Sequence, residues 1–212
     1  MSEPILLIEQ TGPVAHVTMN RPDVHNAFND VLIQEMLDAF QALGSSDTVR
    51  VIVLGGAGRS FCAGADLNWM RSMIEYDTAR NQADSAALAQ LFEVIDTCPK
   101  AVIGRVQGAA IGGGCGLVAV CDVVVAAARA TFGLSEVRLG LAPAVISPYV
   151  VRKIGTSRAR ELFLTGDRMD AVRAKESSLV HYVCDTELAL DNQVVQLTAS
   201  LLKGGPQAVA AC

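Results

Sequence analysis

Charged residues are scarce in this chain of 212 residues: they make up 18% of it, whereas hydrophobic residues make up 51%. The net charge of −5 and the lack of a cluster of lysines and arginines give no electrostatic footprint for a nucleic acid or an anionic membrane. The longest uncharged run, between Arg105 and Asp122, is shorter than the roughly 20 apolar residues of a spanning helix. No signal peptide is visible. We therefore expect a cytoplasmic protein that acts on a small molecule, with no nucleic-acid or membrane partner.

Metal-ligand and redox spacings are also missing. The six cysteines form no Cys-x-x-Cys pair, and the three histidines do not cluster with them. We expect buried, reduced thiols, no disulfide bond and no metal site.

Several catalytic motifs are absent as well. The chain has no Gly-x-Ser-x-Gly elbow, no Gly-x-Gly-x-x-Gly fingerprint and no Walker loop. The loop Gly55–Gly58 follows a strand-like run, but its spacing differs from that of a dinucleotide site, and we interpret it as a tight turn.

Strand-like and helical segments alternate along the chain. The expected elements are two strands of a hairpin (Ile5–Glu9 and Val14–Met19), a helix capped by Asn29 or Asp30, a strand (Val49–Gly55), a helix (78–98) and two further strands (Ala101–Val106 and Val123–Ala127). This alternation predicts an α/β fold with a mostly parallel sheet. The part from 145 to 203 should be largely helical.

A glycine cluster separates a predicted strand from a predicted helix. The sequence Gly-Gly-Gly-Cys-Gly at 112–116 precedes an apolar helical segment, Leu117–Cys121. Glycines let a backbone approach a ligand closely, and the first amides of a helix have no internal acceptor. A second glycine-bearing turn, 61–66, could point another amide at the same oxygen. Two such donors would stabilise an enolate or a tetrahedral oxyanion.

Two plainer interpretations of the cluster stay open on these residues alone. Glycines before a helix also permit close packing of the helix on a sheet, and they can cradle a phosphate. The choice depends on whether a catalytic group lies nearby.

One carboxylate stands in the almost wholly apolar segment from Phe132 to Ser147, which also carries Arg138. Glu136 and Arg138 could form a surface ion pair, since most charged residues are solvated. Burial would instead raise the pKa of Glu136 and make it a useful proton carrier. Both interpretations stay open here.

Four motifs follow one another along nearly the whole chain. They are Asn20-Arg21-Pro22 with His25-Asn26-Ala27-Phe28, Ser60-Phe61-Cys62-Ala63-Gly64-Ala65-Asp66-Leu67, Gly112-Gly113-Gly114-Cys115-Gly116-Leu117 with Cys121-Asp122, and Phe132-Gly133-Leu134-Ser135-Glu136 with Gly140 and Pro143. Together they resemble the crotonase superfamily, also called enoyl-CoA hydratase/isomerase. The resemblance implies a crotonase core, a spiral of ββα units with the CoA site and the oxyanion hole, over 1–145. It also implies a mostly helical C-terminal part, shorter than in relatives, over 146–212.

The resemblance further implies a hydro-lyase that adds water across the Cα=Cβ bond of an enoyl-CoA. Coenzyme A is then part of the substrate, and no separate cofactor is expected. Glu136 is the implied acid and base, and the N–H groups of Ala65 and Gly113 form the implied oxyanion hole. Ala27 and Ala63 would lie near the adenine. The candidate substrate-binding residues are Ala27, Ala63, Asp66, Gly112, Gly116 and Arg138.

One departure from the family bears on the acyl group. Hydratases of this family usually carry two glutamates, but Gly116 stands at the first position and only Glu136 remains. We hypothesise that the space beside Gly116 accepts a branched or carboxylated acyl group, with Arg138 as a candidate counter-ion.

Finer likeness concerns Asp66-Leu67-Asn68-Trp69-Met70 and the segment from 135 to 149. These are similar to the bacterial methylglutaconyl-CoA and isohexenylglutaconyl-CoA hydratases. Asp23 and Asn68 stand where relatives often carry lysines near the CoA phosphates, so the resemblance does not carry those contacts over.

Two alternatives to a hydratase stay open. One is an enoyl-CoA isomerase, which moves the double bond with one glutamate, and the other is a non-catalytic acyl-CoA-binding paralogue. Relatives assemble through their C-terminal helices, so we expect a homotrimer or hexamer if residues 146–212 suffice.

Overall fold

Two sheets organise the chain in the computed structural model, which describes residues 3–212. The larger sheet has the strand order β1-β2-β3-β4-β6-β9, and the smaller has the order β5-β7-β8. The strands are β1 (Leu6–Thr11), β2 (Val14–Met19), β3 (Val51–Gly56), β4 (Ala101–Val106), β5 (Ala110–Ile111), β6 (Val123–Ala127), β7 (Thr131–Gly133), β8 (Arg168–Asp170) and β9 (Tyr182–Cys184). Beyond the antiparallel β1–β2 hairpin, the larger sheet is parallel, as predicted.

Helices connect the strands and fill the C-terminal part. They are α1 (Asp30–Ser45), α2 (Leu67–Ser72), α3 (Thr78–Asp96), α4 (Gly113–Val120), α5 (Ser147–Ile154), α6 (Thr156–Thr165), α7 (Ala171–Glu176), α8 (Glu187–Leu201) and α9 (Pro206–Ala211). A short 3₁₀ helix covers Glu136–Leu139. In the described part of the chain, no helix is both long enough and apolar enough to cross a membrane.

The central strands of the larger sheet, β3, β4 and β6, are covered on both faces. Strand β3 is buried from Val51 to Gly55, so it reads as a continuous apolar run instead of an alternating one. Leu190 of α8 belongs to the cluster on one face, and Phe28 and Phe92 belong to the main core on the other. The rings of Phe28 and Phe92 meet edge to face at 6.4 Å. This core supports the first turn of α4.

The start of α4 differs from the prediction. The helix begins at Gly113 and not near Leu117, so the glycines form its first turn. Gly112 precedes it with a φ of 54°, a left-handed conformation that favours glycine. A Cβ on Gly114 would lie 2.9 Å from the carbonyl carbon of Cys62, because the turn packs against the chain at 62. The sequence predicts the apolar part of the helix correctly, but it does not predict that the glycines form the first turn.

Candidate active site

A cavity of about 710 Å³ lies over the first turn of α4. Its walls come from the segments 24–28, 63–71 and 111–113, from α3, and from the chain between 135 and 146. Apolar side chains such as Trp69, Leu88 and Ile146 form much of the lining. Such a cavity, apolar with a few polar groups, is typical of a small-molecule site.

Two glycine turns meet at this cavity. A Cβ on Gly64 would lie 2.8 Å from the carbonyl oxygen of Ile111 and 3.5 Å from the nitrogen of Gly113. A Cβ on Gly113 would lie 2.9 Å from the ring of Phe28. A side chain at Gly64 would therefore push the two turns apart, and one at Gly113 would push the turn away from Phe28. The two turns that the sequence singles out are neighbours in the fold.

The amides of Ala65 and Gly113 have no acceptor within the described chain. Ala65 pairs with Phe28 in an isolated parallel bridge, in which Gly64 accepts from Phe28 N at 2.7 Å and Asp66 N donates to Phe28 O at 2.8 Å. The N–H of Ala65 lies between these two bonds and points to the other side of the bridge. Gly113 is the first residue of α4, where a helix offers no internal acceptor. Both residues line the cavity.

Glu136 lines the cavity beside the glycine turn. A Cβ on Gly112 would lie 3.3 Å from Oε1 of Glu136, closer than an ordinary contact, so the carboxyl group lies directly beside the glycine turn. The other oxygen, Oε2, is buried without a hydrogen-bond partner among the described residues. Burial raises the pKa of Glu136, and its own N–H lowers the pKa by less. A half-buried carboxyl group with a raised pKa is suited to taking up and returning a proton.

Cys115 does not compete with Glu136 for chemistry. Burial, together with the charge of Glu136, raises the pKa of its thiol to about 12. The thiol is neutral at ordinary pH and has little nucleophilic character.

Asp66 stands at the cavity wall, but both of its carboxylate oxygens are engaged. One oxygen accepts from Asn68 N at 2.9 Å and caps α2, and the other accepts from Nη2 of Arg21 at 2.9 Å. Nη1 of Arg21 donates to the carbonyl of Ala27. Burial alone would raise the pKa of Asp66, but Asn68 N and Arg21 hold it below its usual value. Asp66 therefore shapes this wall instead of offering a free carboxylate.

The two alanines expected near the adenine lie on segments that a backbone hydrogen bond joins. The N–H of Ala63 donates to the carbonyl of His25 at 3.0 Å, and both Ala27 and Ala63 line the cavity.

The hypothesis of free space beside Gly116 is wrong. A Cβ there would lie 3.0 Å from Cβ of Ile146 and from Cε1 of Phe92, and closer still to Cγ2 of Ile146. Gly116 is buried in α4 and does not belong to the cavity lining. The space beside Gly116 is filled by the side chain of Ile146, so it leaves no room for substrate.

The hypothesis that Arg138 is a counter-ion for the substrate is also wrong, because Arg138 lies outside the cavity lining. Its Nη2 lies 2.7 Å from Oδ1 of Asp167, and both side chains are 58% exposed. Neither residue lines the cavity. The surface ion pair exists, but its acidic partner is Asp167, not Glu136.

Sequence reasoning missed two arginines near this cavity. The sequence predicts a site role for neither Arg21, which belongs to the first motif, nor Arg71. A signal for Arg71 exists: it lies three residues after Asn68 on a helix, which places the two side chains on the same face. Asn68 lines the cavity, whereas Asp23 does not.

Known proteins resemble this chain along nearly its whole length. Residues 9–212 match the family model described as enoyl-CoA hydratase/isomerase. The chain belongs to this family. A curated relative, the enoyl-CoA hydratase AKT6-1 of Alternaria alternata, is 37% identical over 97% of this chain and 67% of its own length. The 2,3-dehydroadipyl-CoA hydratase of Escherichia coli is 35% identical over 100% of this chain and 80% of its own length.

Solved structures agree with the family assignment. The crystal structure of an enoyl-CoA hydratase from Shewanella pealeana superposes with a TM-score of 0.94 at 42% identity, and covers 98% of this chain and 77% of that one. The predicted α/β crotonase fold is thereby confirmed.

Proposed function

We propose that this enoyl-CoA hydratase/isomerase family member hydrates the Cα=Cβ bond of an enoyl-CoA thioester. The observation that carries the proposal is the meeting of one carboxyl group, Glu136, with two amides that lack protein acceptors at a single cavity. The relatives named as enoyl-CoA hydratases support the same reaction and a hydro-lyase activity.

In this reaction the oxyanion hole is made by the amides of Ala65 and Gly113. When water adds at Cβ, the electrons of the double bond move toward the thioester oxygen, and the two N–H groups stabilise the enolate. Loss of one such donor commonly costs about 3–4 kcal/mol of barrier. The engagement of Phe28 with Gly64 and Asp66 fixes the direction of the Ala65 amide before substrate binds.

Glu136 carries the proton in both steps. Its carboxylate takes a proton from the attacking water as the C–O bond forms at Cβ. The same group then returns that proton to Cα as the enolate collapses to the thioester. One carboxyl group serves both steps because the proton gained in the first is the proton lost in the second, and acid–base catalysis of this kind is typically worth 10²–10⁴-fold.

An isomerase is the second candidate. Asp66 is tied to Arg21 and Asn68, so Glu136 is the only carboxyl group lining the described cavity that is free of such partners. A lone carboxyl group could also move a proton between Cα and Cγ without adding water.

The experiment is incubation with a panel of enoyl-CoA thioesters in H₂¹⁸O, followed by mass analysis of the products. A hydratase incorporates ¹⁸O at Cβ, whereas an isomerase shifts the double bond without ¹⁸O. A protein that binds the thioesters and changes none of them would be the non-catalytic paralogue and would overturn the proposal.

For the acyl group we propose a branched or carboxylated chain, such as that of 3-methylglutaconyl-CoA. The likeness of 66–70 to the glutaconyl-type hydratases supports it, as does the 35% identity with the relative named 2,3-dehydroadipyl-CoA hydratase. The support does not come from Gly116, whose surroundings are filled. Comparing kcat/KM for glutaconyl-CoA and crotonyl-CoA tests the proposal.

We also propose a homotrimer or hexamer in the cytoplasm. Several large apolar side chains are exposed in the C-terminal half of the chain, including Val137 at 41% and Leu164 at 71%. The 3₁₀ helix that carries Val137 contacts α6, which carries Leu164. Exposed apolar surface of this kind often marks a subunit interface. The molar mass from light scattering after size-exclusion chromatography tests the assembly. A monomer would contradict the proposal.

A further inference from the structure

Arg71 is the one arginine or lysine among the described residues that line the cavity. It lies near the end of α2, with an exposed side chain. The contact recorded for its guanidinium is a long one, 3.5 Å from Nη1 to Oδ1 of Asn68. No carboxylate within the described chain pairs with it. A cationic group therefore faces the cavity without a partner of opposite charge.

Many other arginines of the chain do have such partners. The arginines that pair with a carboxylate are Arg21, Arg105, Arg129, Arg138, Arg152 and Arg173. Arg80 lies over the ring of Tyr76 instead, 3.6 Å from its centroid. Arg71 has neither kind of partner, and the same holds for Arg158, Arg160 and Arg168 within the described chain, but of these four only Arg71 lines the cavity.

The two acidic residues of the cavity do not neutralise Arg71. Asp66 is already paired with Arg21, and Glu136 forms no ion pair in the described structure. A guanidinium stays charged at any ordinary pH, and its planar set of N–H donors matches the oxygens of a carboxylate or a phosphate. A ligand that pairs with Arg71 in the cavity would thus have the chemistry of an oxyanion group.

We infer that Arg71 binds an oxyanion group of the substrate, either a phosphate of coenzyme A or a carboxylate on the acyl chain. The inference rests on the proposed function, which makes the substrate an acyl-CoA. It also supplies a counter-ion for a carboxylated acyl group, a role that Arg138 cannot take because it pairs with Asp167 outside the cavity. Both sources offer oxygens that accept two parallel N–H bonds from a guanidinium.

The test compares Arg71→Gln with the wild type on three thioesters. Crotonyl-pantetheine carries neither a phosphate nor an acyl carboxylate, crotonyl-CoA carries phosphates only, and glutaconyl-CoA carries both. Because a hydrogen bond to a charged group is lost, kcat/KM should fall about ten-fold or more on at least one CoA thioester relative to crotonyl-pantetheine. The loss should appear mainly in KM, since the contact is made before and during the reaction alike.

The pattern of losses identifies the oxyanion. Equal losses on both CoA thioesters assign Arg71 to a phosphate, and a loss confined to glutaconyl-CoA assigns it to the acyl carboxylate. Arg71→Lys keeps the charge but not the planar donor set, so it should recover part of the loss. Arg160→Gln is the matched control, because Arg160 is exposed on α6 and does not line the cavity.

Equal effects of Arg71→Gln on all three thioesters would overturn the inference, since no oxyanion would then distinguish them. Wild-type protein that hydrates none of the three would instead contradict the proposed function. Calorimetric titration of wild type and Arg71→Gln with coenzyme A would in that case test the phosphate contact on its own, and equal affinities would exclude it.

Discussion

Nη2 of Arg21 lies 2.9 Å from Oδ2 of Asp66, and the same guanidinium donates to the carbonyl of Ala27. Arg21 thus joins two segments of the cavity wall, the loop before α1 and the turn that precedes α2. Both side chains of the ion pair are mostly buried, with 16% and 10% exposed. The pair lies next to the bridge between Phe28 and Ala65, so it stabilises the position of the proposed oxyanion donor.

Asp66→Asn should lower the free energy of unfolding by about 1–3 kcal/mol, because a charged hydrogen bond to a largely buried guanidinium is lost. The pKa of Asp66 is lowered in the folded protein, so its stabilising effect is present above the ordinary carboxyl pKa and is lost as the pH falls through the lowered one. The difference between wild type and variant should therefore shrink in acid. Denaturant titrations at neutral and acid pH measure it.

Asp167→Asn is the matched control for this ion pair. Asp167 pairs with Arg138, but both side chains are 58% exposed, and such pairs contribute about 0–1 kcal/mol. Similar losses of unfolding free energy in the two variants would mean that burial does not strengthen the Arg21–Asp66 pair.

Glu136→Gln should lower turnover by at least about 10²-fold, because the amide cannot take a proton from water. Since burial raises the pKa of Glu136, the kcat/KM of the wild type should fall on the acid side at a higher pH than an ordinary glutamate would give. Steady-state kinetics across pH measure both effects. Near-normal turnover by a folded variant would remove Glu136 from the mechanism.

The same substitution should stabilise the fold at neutral pH. A carboxyl group whose pKa is raised by folding contributes its stability below the ordinary pKa and loses it as the pH rises through the raised pKa. Gln keeps the neutral form at every pH, so the Tm of Glu136→Gln should exceed that of wild type at neutral pH and match it in acid. A lower Tm at neutral pH would mean that the ionised carboxylate has partners that the structure does not contain.

Much of the fold follows from the sequence because its long elements carry strong apolar patterns. The strands Ala101–Val106 and Val123–Ala127 have the predicted bounds, and Asn29 caps α1 with a 2.9 Å bond from Leu32 N. Strands β5, β7 and β8 have two or three residues each, too few for a periodicity, and were not predicted.

The site was predictable only in part. The motifs drew attention to the glycine turns and to Glu136, and the fold brings them to one cavity. What surrounds Gly116 could not be read from the sequence, because Ile146 lies 30 residues away and reaches α4 through the packing of the loop before α5. The partners of Arg138 and Arg71 depend in the same way on contacts between distant segments.

Gly113→Ala should damage catalysis much more than Gly44→Ala. A Cβ on Gly113 would lie 2.9 Å from the ring of Phe28 and displace the first turn of α4, whereas one on Gly44 would make an ordinary contact, 3.5 Å from Pro99 Cδ. Displacing one oxyanion donor commonly costs 10²–10³-fold in kcat. Kinetics of both variants, with their melting temperatures, measure the contrast. Small and equal effects would mean that the turn only packs α4 on the sheet.

Gly116→Ala should destabilise the protein relative to Gly44→Ala, although both changes favour a helix. Replacing glycine by alanine inside a helix gains about 0.5–1 kcal/mol, but overpacking a core typically costs about 1–3 kcal/mol. The new methyl group at 116 meets Ile146 and Phe92, so the cost should exceed the gain.

A double-mutant cycle with Ile146→Ala isolates this contact. Ile146→Ala alone should cost about 2–5 kcal/mol as a buried apolar side chain is lost. Combined with Gly116→Ala it should cost less than the sum, because the alanine at 146 no longer has the Cγ2 atom that the new methyl group meets. Unfolding free energies of the four proteins give the coupling. Additive effects would contradict the packing role of Gly116 against Ile146.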